Sequence, residues 1–179
     1  TDSPTKDEDP SVLRAHDGTM FVAWFSDRGG NPDIYITNVS RGTAWSAPTR
    51  VTTGIGGDFN PSLLQDAQGR FHLAWFRWAA PYLGHIWYNS SADGKTWNTA
   101  SEVQVTTANA VADWVPTIAE TPDGSLAIYF VSDLRDAVNR TNEIYVTFLR
   151  PNAAAWTAPV PVSGVNSPTE HDHLPFATL

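Results

Sequence analysis

Ser90-Ser91-Ala92-Asp93-Gly94-Lys95-Thr96-Trp97 is a tight turn written out in residue types. The Asp93 carboxylate can cap nearby backbone N–H groups, and Gly94 takes a positive φ without penalty. Trp97 can pack back over the turn it closes. Such a turn joins two strands. Ile86-Trp87-Tyr88 precedes it and Glu102-Val103-Gln104-Val105 follows, both rich in β-branched and aromatic residues.

Outward from this turn, the chain repeats. Asp-x-x-Pro occurs four times: Asp7 to Pro10, Asp58 to Pro61, Asp113 to Pro116 and Asp172 to Pro175. The first three each lead through a short apolar strand to a turn, at Asp17-Gly18, Gln68-Gly69 and Asp123-Gly124. A second strand follows. Met20-Phe21-Val22-Ala23-Trp24-Phe25 aligns with Phe71-His72-Leu73-Ala74-Trp75-Phe76 and with Leu126-Ala127-Ile128-Tyr129-Phe130-Val131. These runs are apolar on both faces, the pattern of a strand buried on both sides. A third strand carries Ile34-Tyr35-Ile36, Ile86-Trp87-Tyr88 or Ile144-Tyr145-Val146, and each unit then turns at Trp45, Trp97 or Trp156. A short fourth strand closes it, at Pro48 to Val51, Glu102 to Val105 and Pro159 to Val162. Four strands in roughly 50 residues make one blade of a β-propeller.

The turn at Asp93 resembles the Asp-box of sialidases and related BNR-repeat β-propellers, whose usual form is Ser-x-Asp-x-Gly-x-Thr-Trp. One residue fewer separates Asp93 from Gly94 here. The first unit keeps Ser40-Arg41-Gly42-Thr43-Ala44-Trp45 without the Asp, and the third Asn152-Ala153-Ala154-Ala155-Trp156 without Asp or Gly. The Trp recurs in all three, which predicts packing between blades.

The expected fold is therefore all-β: one partial-ring propeller domain over residues 1–179. Its antiparallel four-stranded blades run over 5–53, 56–107 and 111–163, with the inner strand of a fourth over 172–179. Three blades alone leave strand edges and apolar blade faces in water. A homo-oligomer or the remainder of a longer propeller is expected to complete the ring; a small closed ring with a distorted fourth blade is the alternative.

Composition narrows the partners. Eleven Lys and Arg against nineteen Asp and Glu give a net charge of −8, whereas a nucleic-acid partner calls for a basic face. No apolar run reaches the length of a membrane span. The absence of cysteine excludes disulfides and thiol chemistry. The sequons at Asn38, Asn89 and Asn139 are of a kind that arises by chance. The resemblance implies a secreted or cell-surface protein.

Propeller geometry gathers the loops entering the inner strand and the loops between second and third strands on one face. In the family resembled, that face holds the site and the Asp-boxes lie opposite. Asp7, Asp58, Asp113 and Asp172 recur there, either ringing the channel for a polar or cationic ligand or capping the turn before each proline. The irregular loops supply Asp27 and Arg28, then Arg77, Trp78 and Tyr82, then Asp133 and Arg135. Irregular loops on a rigid scaffold carry function. The arginines could grip a carboxylate and the aromatics could stack on a sugar; the alternatives are ion pairs within the loops and packing between blades. Glu170-His171-Asp172-His173 has metal-like composition without a third ligand nearby, so no metal and no cofactor is assigned.

The function expected is a ligand-binding module, glycan-binding or adhesive. The alternatives are a purely structural or assembly repeat, or a sialidase-like glycoside hydrolase. Sialidases use a Tyr nucleophile, three arginines and an Arg-Ile-Pro motif. That motif is absent here, the three arginines sit in the wrong loop for the family pattern, and no Tyr nucleophile is assignable. No catalytic residue is named, and a shared fold does not license an activity.

Overall fold

The structure is a computed structural model that describes residues 5–79, 83–107, 112–132 and 142–162. It contains three four-stranded antiparallel sheets with neighbours in chain order. Blade 1 holds β1 (Asp7–Arg14), β2 (Met20–Ser26), β3 (Asp33–Val39) and β4 (Thr49–Arg50). Blade 2 holds β5 (Gly57–Gln65), β6 (Phe71–Ala79), β7 (Leu83–Ser91) and β8 (Val103–Gln104). Blade 3 holds β9 (Asp113–Glu120), β10 (Leu126–Ser132), β11 (Glu143–Leu149) and β12 (Val160–Pro161). The strand expected over 172–179 lies outside the described residues. No helix among the described residues is long and apolar enough to cross a membrane.

The Asp-x-x-Pro repeat is a β-bulge. In all three inner strands the register with the second strand shifts at this point. Proline has no N–H for the ladder, and a bulge is where a sheet tolerates it. The residue before each proline takes a left-handed backbone: Asp9 has φ 54°, Asn60 49° and Val115 50°. Asp and Asn accept this conformation readily; a β-branched valine is strained there by about 1–3 kcal/mol. The cap expected of the repeated aspartates takes another form in blades 1 and 2. The Asp7 carboxylate accepts from the Trp24 indole N–H at 2.9 Å, and Asp58 from Trp75 at 3.0 Å. Each aspartate ties the start of an inner strand to the end of the strand beside it.

The blades join through two apolar clusters. One holds Phe21, Ala23, Phe25, Ile34 and Ile36 of blade 1 against Leu63, Phe71, Leu73 and Trp75 of blade 2. The other holds Leu64, Ala74, Ile86 and Tyr88 against Ile118, Leu126, Ile128, Phe130 and Tyr145. Two repeating hydrogen bonds stitch the seams. The Leu63 N–H donates to Ser11 Oγ at 3.0 Å and the Ile118 N–H to Ser62 Oγ at 3.1 Å. Likewise the His16 N–H donates to Gln65 and the Ala67 N–H to Glu120, both at 2.8 Å. Each blade thus reaches its neighbour through the same positions of the repeat.

The closing tryptophans divide on this pattern. Trp97 packs on the cluster between blades 1 and 2, and Trp156 on the cluster between blades 2 and 3, with its ring 5.2 Å from that of Tyr88. Each therefore lies against the preceding blade. Trp45, expected to pack in the same way, is 55% exposed instead. It borders a hollow of about 480 Å³ on the outer face of blade 1, with Pro10, Val22, Trp24 and Pro48. No preceding blade lies against this face among the described residues, so the packing role fails at Trp45.

Candidate functional site

The antiparallel register places the Asp93 turn at one end of blade 2 and the β6–β7 connection at the other. In the turn, Asp93 accepts from the N–H groups of Lys95 at 2.9 Å and Thr96 at 2.7 Å. Gly94 holds φ 68°, and the Trp97 indole N–H donates to its carbonyl at 3.1 Å. The bond from Thr96 N–H holds the Asp93 carboxyl down at about 2. This accounts for the turn as structure, distant from the loop end.

At the loop end a cleft of about 500 Å³ opens between blades 1 and 2. Its floor is aromatic, built from Phe25 of β2, Phe59 of β5 and Phe76 with Trp78 of β6. Phe25 and Phe59 meet edge-on with centroids 4.9 Å apart, and Trp78 stands edge-on to Phe76 at 5.8 Å. The backbone of β7 presses close to this floor: a Cβ on Gly84 would fall 1.9 Å from the Phe76 ring, which is why glycine stands there. Trp78 is 39% exposed.

The polar side of the cleft comes from the bulges. Asp9 and Asn60 occupy the same position in successive inner strands, and the Asn60 amide donates to Asp9 Oδ2 at 2.8 Å. Burial, aided by the neighbouring Glu8 charge, pushes the Asp9 carboxyl up. Asp27 accepts the Lys6 N–H at 2.9 Å, which pins the β2–β3 loop beside the cleft. Glu8 and Lys6 complete the rim. A flat aromatic surface beside a few directed polar groups suits a ring that is apolar on one face and hydroxylated at its edge.

The sequence-derived candidates separate on inspection. Trp78 and Asp27 line the cleft. Arg77 does not: its guanidinium is buried and bidentate on Asp58, at 2.6 and 2.8 Å, with Glu102 at 2.9 Å. It also stacks 4.4 Å from the Trp87 ring. Asp58 is consumed by the same pair, so neither residue is available to a ligand. Arg28 is likewise committed, to Asp7 at 2.7 Å and Ser26 Oγ at 2.9 Å, with its guanidinium over the Tyr35 ring at 4.8 Å. Arg28 and Asp7 thus hold each other in a partly exposed ion pair, and the partner expected for Arg28, Asp27, is replaced by Asp7. Asp113 is fully buried opposite Ser132 at the start of β9, which removes it from any ligand surface. Tyr82, Asp133, Arg135 and Asp172 lie outside the described residues, as does the Glu170–His173 cluster.

Burial also pushes up the carboxyls of Glu102 and Asp33 beside this ion cluster, against the pull of Arg77 and Arg50 respectively. Arg50 pairs with Asp33. Among the described residues no group of His, Asp and Glu is arranged to hold a metal ion. Asp9, Asn60 and Phe59 were missed in the sequence. The signal for Asp9 and Asn60 was the variation inside Asp-x-x-Pro, where the third position reads Asp, Asn and Val in the three blades.

Comparison with family models found no match, and comparison with curated proteins found none either. Solved structures do match. The GH93 α-L-arabinofuranosidase of Fusarium graminearum superposes with a TM-score of 0.68 at 16% identity, over 89% of this chain and 49% of that one. The α-L-arabinanase of Penicillium chrysogenum gives 0.65 at 16%, over 85% and 49%. An endo-arabinase from Bacteroides thetaiotaomicron gives 0.65 at 15%, over 87% and 61%. The chain spans about half the length of the first two. At such identities the likeness speaks to fold, and it places the three sheets as consecutive blades of a β-propeller.

Proposed function

We propose that the chain is a glycan-binding propeller module whose ligand lies in the cleft between blades 1 and 2. The observation that carries this reading is Trp78, more than one-third exposed on an aromatic floor and flanked by the Asp9–Asn60 pair. In this reading a sugar ring stacks on Trp78 while its hydroxyls reach Asp9, Asn60 and Asp27. The matched propellers named for arabinose-containing glycans make arabino-oligosaccharides the first probes, and a secreted or cell-surface location accords with such a role. Calorimetric titration with arabinobiose and longer oligomers tests it. Trp78→Ala is expected to weaken binding about tenfold, the loss of one stacked ring, while Trp45→Ser leaves it unchanged. Binding that survives Trp78→Ala overturns the assignment of the cleft.

A second reading rests on a separate observation. Blade 1 exposes Trp45 beside an apolar hollow lined by Pro10, Val22, Trp24 and Pro48, the kind of patch that marks an assembly surface. In this reading the patch is covered on completion of a ring, by another copy or by further blades. Light scattering on the 19.6 kDa chain over a range of concentrations tests the homo-oligomer; a monomer throughout overturns it.

A further inference from the structure

We propose that the cleft selects by charge: it takes sugars bearing a protonated amine in preference to neutral ones and rejects sugars bearing a carboxylate. The inference rests on the reading of the cleft as a glycan site and adds the class of glycan.

A site for acidic sugars needs guanidinium or ammonium groups aimed at the ligand. Arg28 and Arg77, the arginines nearest this end of blades 1 and 2 in the sequence, are turned inward onto Asp7, Asp58 and Glu102. They neutralise the protein's own carboxylates and stack on its own rings. Among the described residues, what remains around the cleft is Glu8, Asp9 and Asp27 against Lys6, three carboxylates to one ammonium. A ligand carboxylate placed on the Trp78 platform would meet like charge on the rim, and the partly desolvated position strengthens that repulsion. An ammonium would meet complementary charge.

The Asp9–Asn60 pair adds a second point. The two side chains converge because both bulges hold a left-handed backbone, and the equivalent residue of blade 3 is Val115. The repeat thus becomes polar at this junction and apolar at the next blade. Asp9 already accepts from Asn60, and burial together with the neighbouring Glu8 charge pushes its carboxyl up. A ligand ammonium supplies a cationic partner.

Three probes of equal length test this by titration at low salt: a β-linked glucosamine oligomer, its N-acetylated counterpart and an oligogalacturonate. The glucosamine oligomer is expected to bind about fivefold tighter than the N-acetylated one, the scale of an exposed ion pair or two, with the advantage fading as salt rises. The oligogalacturonate is expected not to bind. Asp27→Asn and Asp9→Asn should each bring the ratio of the first two affinities toward one. Oligogalacturonate binding as well as the N-acetylated oligomer, or a ratio indifferent to both substitutions, overturns the charge selection and leaves the glycan site standing. Failure of all three probes, and of the arabino-oligosaccharides, overturns both.

Discussion

Val12 in blade 1 and Leu63 in blade 2 occupy the same position of the repeat, and one is 61% exposed while the other is 8% exposed. Ile118, the equivalent in blade 3, is 4% exposed. The same holds for the tryptophans: Trp97 and Trp156 pack on a preceding blade and Trp45 does not. The residue types barely change, so the difference lies in the neighbour rather than in the blade. Both faces of each sheet are composed as core, and a blade becomes core when another lies against it.

The comparison breaks first, if it breaks, at the arginines. Arg77→Ala leaves Asp58 and Glu102 buried without their cation, and a loss of about 3–5 kcal/mol is expected. Arg28→Ala removes a pair on the open side, with its side chain 23% exposed, and about 1 kcal/mol or less is expected. Urea unfolding of the two variants checks the ratio; equal losses would mean that the open face is as closed as the seam. Next comes the apolar pair. Leu63→Ala should cost about 2–4 kcal/mol through the cavity it leaves, whereas Val12→Ala should stay within about 0.5 kcal/mol.

A smaller effect comes from the turn. The Asp93 carboxyl sits at about 2 in the folded chain against an ordinary 3.8, so it contributes stability above the ordinary value that is lost as pH falls through the folded one. Asp93→Asn should therefore lower the Tm at neutral pH, with the gap to the native chain closing between about pH 4 and pH 2. A gap independent of pH would assign the turn's stability to Gly94 and Trp97 instead. The smallest expected effect on stability is that of Trp45→Ser, with no measurable shift in Tm; its readout is solution mass, which should lose any concentration dependence. Trp97→Ser, by contrast, should lower the Tm by several degrees.

The sequence shows the architecture because a propeller repeats its instructions. Asp-x-x-Pro, the doubly apolar second strands and the closing tryptophans each occur at the same step of successive units, and the sheets follow them. What the chain conceals is reach. Arg77 belongs by sequence to an irregular loop, yet β6 runs for nine residues and carries it within the strand, opposite Asp58. Asp9 reads as a filler between Asp7 and Pro10 until the bulge swings it toward Asn60 in the next blade. Trp45 shows the converse case: residue type announces packing, but only the arrangement of blades decides whether there is anything to pack on.

The hydroxyls of Ser11 and Ser62, each bonded to an amide one blade onward, have a consequence for how the molecule comes apart. Every such link joins nearest neighbours, so the blades form a short one-dimensional lattice. Cooperativity is then a property of the links and not of the sheets. A chain of this kind frays from its ends, and amide hydrogen exchange should be slowest at the doubly linked blade 2 and faster in blades 1 and 3, each linked on one side among the described residues.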